Sequence, residues 1–345
     1  MDLNERLIKE GEFYSSPFYF SYSSLNRLLY APSIFYKEYV LKEKEIRLDQ
    51  HLIEGKLTHY LVLDNAQFDD KFIIAAENLP TANVKDIVDI VYAVTGNSEY
   101  GLEDHKEVIL EAMRETNFYQ NLVDDKKADK DGVQKTGDEK RLDKILTDQS
   151  IQYYEFLKKK AGRDIIDAST LDKCTKASEA IKANPKIVTL LGLDRVHDTS
   201  SFGIYNELEI ICKLEGYNFG LKGIIDNMVV DVETKTVRIN DLKTLSKSIS
   251  DFPESIEYWR YWLQASVYKM LAKEFLKDVI DESWVIEFNF IVIDKYNQVC
   301  PFRVTNVTMD KWTEETIGCL NEAAYHYDNQ DFTLPFKFVA GEVLL

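Results

Sequence analysis

Hydrophobic and polar positions alternate between two periods along this chain, and the switch points outline its elements. Gly220–Val230 is dense in Leu, Ile, Met and Val and reads as a strand, as does Thr236–Lys243. The polar run Asp231-Val-Glu-Thr-Lys235 between them reads as a turn. Alternation predicts further strands at 68–76, 202–214, 284–293 and 298–307. Helical spacing of apolar residues predicts helices over 20–47, 50–65, 83–96, 105–121, 140–160, 165–191, 309–328 and Pro253–Phe275. The charged stretch from Asp124 to Lys140 has few apolar positions and reads as a loop. The pattern predicts an α/β protein: a central mixed sheet flanked by helices in a single domain over 1–345. Residues 1–76 form an N-terminal helical part, 77–200 a helical insertion and 201–330 the α/β core.

The two central strands bring chemistry together. A hairpin centred between Glu233 and Thr234 places Asp226 opposite Asp241, and facing Cβ atoms in such a pair are about 4.5–5.5 Å apart. Lys243, two residues beyond Asp241, emerges on the same face. Two carboxylates that close repel, and a hard cation relieves the repulsion. A one-residue slip would turn Asp226 to the other face. In the helix that follows, Gln264 and Tyr268 are four apart and share a face. Asp226 is flanked by Ile224, Ile225, Met228 and Val229, where an unpaired acid is costly. Glu207 and Glu209 share a face of the preceding strand. The first expectation for them is an exposed polar face, with one of the two within reach of the cluster as the alternative. Glu54 points away from His59 on an ideal helix. Asp-x-Lys on its own carries little, because the chain repeats it at Asp125/Lys127 and Asp138/Lys140.

The ordered set Gly223-x-x-Asp226, Asp241-x-Lys243 and Gln264-x-x-x-Tyr268 resembles the PD-(D/E)XK nucleases, in their RecB-like branch, and most closely the RecE-type exonucleases (exodeoxyribonuclease VIII). Tyr258-Trp-Arg260-Tyr-Trp-Leu-Gln264 is similar to the same group, as are Gly55-x-x-x-His59 followed by Asp64 and Phe68, and Ser21-Tyr-Ser-Ser-Leu25 with Ala31-Pro32. The resemblance covers roughly 16–75 and 200–307. It implies a restriction-endonuclease-like core and phosphodiester hydrolysis with Mg²⁺, for which Mn²⁺ would substitute. It implies His59, Asp226, Asp241 and the Leu242 carbonyl as metal ligands, Lys243 as the group that orients the attacking water or stabilises the developing charge, and Gln264 and Tyr268 as groups that position the phosphate or Lys243. It further implies a DNA exonuclease acting 5′ to 3′ on double-stranded ends in recombination, a ring-like homo-oligomer, a single-strand annealing protein as partner, and a phage or prophage setting. The alternatives are a structure-specific endonuclease of the same branch, or a catalytically silent binding protein on this fold.

Composition adjusts this picture in three places. The net charge of −17 opposes general nucleic-acid binding, so any basic lining has to be local; Lys213, Lys222, Arg238, Lys247 and Arg260 lie in the core region. The four cysteines, Cys174, Cys212, Cys300 and Cys319, form no Cys-x-x-Cys pair, which predicts reduced thiols without an iron–sulfur cluster, structural zinc or disulfide. There is no Gly-rich phosphate loop, so no bound nucleotide is expected. No apolar run has the length of a membrane span, and the first residues lack a signal-peptide pattern, so a cytoplasmic protein with no membrane partner is expected.

Overall fold

The computed structural model describes residues 18–43, 49–75, 79–127, 133–160, 162–198, 200–339 and 341. The chain folds as two compact units, one of 1–65 with 173–345 and the other of 66–172.

The first unit opens with β1 (Tyr19–Phe20) and α1 (Tyr22–Tyr30). Ser21 caps α1 in a capping box with Ser24. The helix expected over 20–47 is broken: α1 stops at Ala31, Pro32 starts the short α2 (Pro32–Phe35), and a π-turn covers Tyr36–Val40. Proline at a first helical position suits a start and not an interior; residues 44–48 lie outside the described residues. Next comes α3 (Gln50–Leu63), which carries His59.

The second unit holds α4 (Phe68–Lys71), β2 (Phe72–Ile74), α5 (Ala82–Thr95), α6 (Lys106–Glu115), α7 (Gly137–Ile145), α8 (Asp148–Lys160) and β3 (Asp164–Ile166). The strand expected at 68–76 is thus a helical turn followed by three strand residues, which pair in parallel with β3. Its core gathers Ile87, Val91, Met113, Ile145 and Tyr154. The helix expected over 140–160 is interrupted at Leu146–Thr147, leaving α7 and α8. The boundary between units falls within α9 (Ala168–Lys182), and α10 (Pro185–Leu191) follows a break at Asn184, which caps α10.

The rest of the first unit is β4 (Phe202–Lys213), β5 (Gly220–Asp231), β6 (Thr236–Thr244), α11 (Phe252–Tyr258), α12 (Tyr261–Phe275), β7 (Val285–Ile293), β8 (Val299–Val304), α13 (Asn306–Asn329) and α14 (Phe336–Val339). The expected single helix from Pro253 to Phe275 is two helices, because Arg260 takes a left-handed backbone (φ 54°) between them. The sheet runs β1-β5-β6-β7-β8 with β4 also on β5, and it is mixed: β1 and β7 run parallel to their neighbours β5 and β6, while the other pairs are antiparallel. One face packs Ile225, Met228, Ile239, Phe288 and Phe290 against α1, α12 and α13. The other packs Leu242, Ile291 and Ile293 against Val62, Ile181, Ile187 and Leu191. The architecture is therefore α/β, a mixed sheet between helices.

Gly223 shows how closely α12 lies on β5. A Cβ there would sit 2.6 Å from Leu271 Cδ1 and 3.1 Å from Tyr268 Cε1. Gly223→Ala is expected to overpack this contact and cost about 1–3 kcal/mol, read as a lower midpoint in urea unfolding. An unchanged midpoint would mean that α12 yields freely.

Candidate metal centre

The site sits at a fork in the sheet. β5 pairs with β6 from Asp231↔Thr236 to Asn227↔Asn240, in the register centred between Glu233 and Thr234. The next positions in that register are Asp226 and Asp241, where the ladder between the strands ends while β6 stays paired with β7 out to Thr244. At the fork, the Asp226 carboxylate takes the place of a backbone acceptor: Leu242 N–H donates to its Oδ2 at 2.8 Å. An amide left bare there would cost a hydrogen bond's worth of desolvation. The sequence therefore needs an acceptor at 226, and the chain supplies a charged one.

β4 is irregular at the matching point. The β4–β5 register passes from Asn206↔Asn227 to Leu208↔Ile225, skipping Glu207 and Asp226, and the Glu207 backbone is left-handed, with φ 47°. Tyr205 and Leu208 both pack on the α12 face, as do Ile225 and Met228 on the other strand. Residues three apart face opposite sides of a regular strand, so the alternation breaks in both strands at once. Such a conformation costs a non-glycine residue about 1–3 kcal/mol. It turns Glu207 into the cluster.

His59 arrives on α3. Its Nε2 donates to the Leu242 carbonyl at 3.0 Å, which leaves Nδ1 facing Glu207 Oε1 at 3.6 Å and Asp226 Oδ2 at 3.7 Å. One donor atom each from His59, Glu207 and Asp226 lies within 4.8 Å of the others, a grouping able to hold a metal ion. The Leu242 carbonyl, expected as a ligand, accepts from His59 here. Glu54, one turn earlier on α3, pairs with Lys173 at 2.6 Å.

Asp241 is fully buried (0 % exposed) beside this trio, its Oδ2 2.5 Å from Lys243 Nζ. The ammonium also lies 4.8 Å from the centre of the Tyr261 ring, the cation–π arrangement that holds a charge over an aromatic face. On α12, Gln264 Nε2 donates to Tyr268 Oη at 3.0 Å, and both side chains are buried. Tyr22 Oη donates to the Trp259 carbonyl at the end of α11. The basic residues of the core region are partly spent elsewhere: Arg238 holds Asp231 at 3.2 Å and Arg260 donates to Asn26.

The electrostatics are those of crowded carboxylates. Burial pushes the Asp241 carboxyl up; Lys243 opposes this and Asp226 adds to it, leaving a pKa of about 6. Burial also raises Asp226, against His59 and Lys243. For His59, burial disfavours the imidazolium, but Asp226 and Glu207 outweigh it and bring its pKa to about 9. Lys243 is likewise raised, its burial overcome by Asp241 and Asp226. Burial and the carboxylates of Asp226 and Asp241 hold the Tyr268 phenol well above its ordinary value.

The donors suit a divalent cation. Glu207 Oε1 and Asp241 Oδ1 are buried and accept no hydrogen bond, and buried acceptors are ordinarily satisfied. With Nε2 committed to Leu242, Nδ1 is the ring nitrogen left to a cation once its proton is displaced. One imidazole with carboxylate oxygens makes a mixed nitrogen and oxygen donor set of the kind that divalent cations take. Glu207 was the harder residue to foresee. Its place beside Asp226 follows from the β4–β5 register, but the six-residue connection at Leu214–Phe219 does not fix that register in advance.

No protein-family model matches the chain, and no curated protein matches it. A chain from Eubacterium rectale whose crystal structure is described as that of a "Putative exonuclease" is similar to it at 11% identity, over 91% of this chain and 85% of that one, with a TM-score of 0.43. An overlap of that depth leaves the site's own geometry as the ground for a functional reading. Among the described residues, no helix is long and apolar enough to cross a membrane.

Proposed function

We propose that this protein is a divalent-cation-dependent nuclease that hydrolyses phosphodiester bonds, acting as an exonuclease on the ends of double-stranded DNA. The observation that carries the reading is the fork: buried, unsatisfied carboxylate oxygens beside one imidazole nitrogen, with a lysine two residues past the second acid. His59, Glu207 and Asp226 would hold the cation, with Asp241 Oδ1 as a further donor. A bound divalent cation polarises the scissile phosphate and lowers the pKa of attached water. In the hydrolysis, a water oxygen bonds to phosphorus, the bond to the leaving ribose oxygen breaks, and that oxygen takes up a proton. Lys243, held by Asp241 and the Tyr261 ring, is placed to stabilise the charge that grows on the phosphate oxygens. Gln264 and Tyr268, joined by a hydrogen bond on α12, would position the phosphate or Lys243. Action 5′ to 3′, a role in recombination, a homo-oligomer and a single-strand annealing partner extend this reading on the resemblance alone.

The deciding assay is purified protein with Mg²⁺ on end-labelled linear duplex and on closed circular DNA. Loss of the linear species with the circle intact is expected. Cutting of the circle would make it an endonuclease, and no cleavage of either would reject the nuclease reading.

Protons and the cation compete for the same donors. The His59 pKa near 9 and the Asp241 pKa near 6 both lie above their ordinary values. In the metal-free protein the folded state therefore binds these protons more tightly than the unfolded chain. The stability they contribute is lost as pH rises, across about 4–6 for Asp241 and 6.5–9 for His59. Binding of Mn²⁺ should run the opposite way: the rise in melting temperature that it gives is expected to grow from pH 5 to pH 9. A rise that is flat with pH would remove these two groups from the site.

A further inference from the structure

Four asparagines cross the sheet beneath the fork. Asn289 Nδ2 on β7 donates to Asn240 Oδ1 on β6 at 3.0 Å, and Asn240 Nδ2 to Asn227 Oδ1 on β5 at 2.7 Å. Asn227 Nδ2 donates to Asn206 Oδ1 on β4 at 2.8 Å, and Asn206 Nδ2 to the Leu63 carbonyl in the last turn of α3 at 2.8 Å. Every link points the same way. Asn240 and Asn227 also donate to the Leu190 and Leu191 carbonyls at the end of α10, at 2.9 and 3.2 Å. Asparagine is depleted in strands, and three of these four are at most 1% exposed, so a purely structural account needs a reason for the repeated choice. A buried amide chain whose members are satisfied rigidifies and specifies one arrangement, and aligned amides strengthen one another.

The chain's members have telling neighbours. Asn206 precedes Glu207, Asn227 follows Asp226 and Asn240 precedes Asp241. The carbonyl that ends the chain belongs to Leu63, one helical turn beyond His59 on the same side of α3. The elements threaded by the amides are thus those that bring His59, Glu207, Asp226 and Asp241 to the site. Ladder hydrogen bonds between β5 and β6 stop at Asn227↔Asn240, so the amide link there is the last tie before the fork. α3 carries its histidine from outside the sheet, and the Asn206 amide joins its last turn to β4 beside Glu207.

We propose that the Asn289–Asn240–Asn227–Asn206 chain is the positioning device of the metal centre, setting the spacing of the His59 imidazole from the carboxylates of Glu207 and Asp226. It rests on the metal-centred reading above. Asn206 is the positioning residue tested first, since its donated N–H ties the last turn of α3 to β4 next to Glu207.

Mn²⁺ alone is the probe. Its dissociation constant and the ¹⁴N modulation in its electron spin echo, which reports imidazole coordination, are measured on the full chain. Wild type is expected to show the ¹⁴N signal. Asn206→Leu is expected to weaken Mn²⁺ binding about 10–100-fold, the range seen when a supporting partner of a metal ligand is removed, and to lose the ¹⁴N signal. Leu320→Ala, a buried change on α13 among the residues of the α12 face, serves as the control for general destabilisation and should keep both. If Asn206→Leu does not fold, Asn206→Asp keeps the oxygen that accepts from Asn227 and loses the N–H given to Leu63; the same loss of ¹⁴N signal is expected. Retention of affinity and ¹⁴N signal in the Asn206 variant overturns the proposal, as does an equal loss in Leu320→Ala. Absence of Mn²⁺ binding in wild type overturns the metal reading itself, and the proposal with it.

Discussion

Replacing Lys243 with alanine is expected to slow phosphodiester hydrolysis by about 100–1,000-fold, the scale found when a preorganised charge-stabilising donor is removed from an active site. The side chain is held at both ends of its function: Nζ is 2.5 Å from Asp241 Oδ2 and lies over the Tyr261 ring. Little freedom is lost when substrate binds, so its charge acts without reorganisation. The substitution also removes the cation that keeps Asp241 from rising beyond a pKa of about 6. In the metal-free variant, Asp241 should therefore stay protonated to higher pH and avoid leaving a bare buried carboxylate, whose cost would be about 3–5 kcal/mol. The fold is then retained, and duplex binding, measured by anisotropy with Ca²⁺ in place of Mg²⁺, should change little. Near wild-type turnover in the variant would take Lys243 out of the chemistry.

The residues of the site differ in how far the chain betrays them. Asp226, Asp241 and Lys243 are legible because a hairpin has period two and one centre, and the polar turn between two apolar runs locates that centre. The observed register is the one so obtained. Gln264 and Tyr268 are legible as a pair for a similar reason, their spacing being one helical turn. The helix holding them is less so. Nothing in the apolar spacing of 253–275 marks Arg260 as left-handed, and the break is held by contacts from far away, Tyr22 on the Trp259 carbonyl and Asn26 on Arg260. His59 has no local reason to meet Asp226, and it does so through the approach of α3 to the fork. Gly55, one turn before it, has Thr244 Oγ1 only 3.4 Å from where a Cβ would stand. Glu207 is concealed by a rule that holds nearly everywhere else: strand alternation assigns its face, and a left-handed backbone at that residue cancels the assignment. The asparagine chain could have been noticed as four strand residues of poor strand propensity. Their hydrogen bonding, however, needs four strands in register, which no local pattern encodes.

Asp226 is where fold and chemistry share one side chain, and two substitutions should separate them. Asp226→Asn keeps an oxygen able to accept from Leu242 N–H, so the fork should persist, and the metal-free protein should lose little stability. It removes a charge from the trio with His59 and Glu207, so cation affinity and hydrolysis should collapse together, with turnover at least about 100-fold down, in line with the loss of an electrostatic contributor at the reacting centre. Asp226→Ala also removes the acceptor. Leu242 N–H, now buried at the fork without a partner, adds a desolvation cost of about 1–3 kcal/mol, expected as a lower urea midpoint than that of the asparagine variant. His59 gives a second contrast. Asp226 is the largest influence raising its pKa toward about 9, so in both variants the metal-free imidazole should titrate at lower pH, followed by NMR of its ring protons. An asparagine variant that binds Mn²⁺ as wild type does would show that the cation, if any, lies elsewhere. Equal stability of the two variants would show that water, entering the fork, satisfies Leu242 as well as the side chain does.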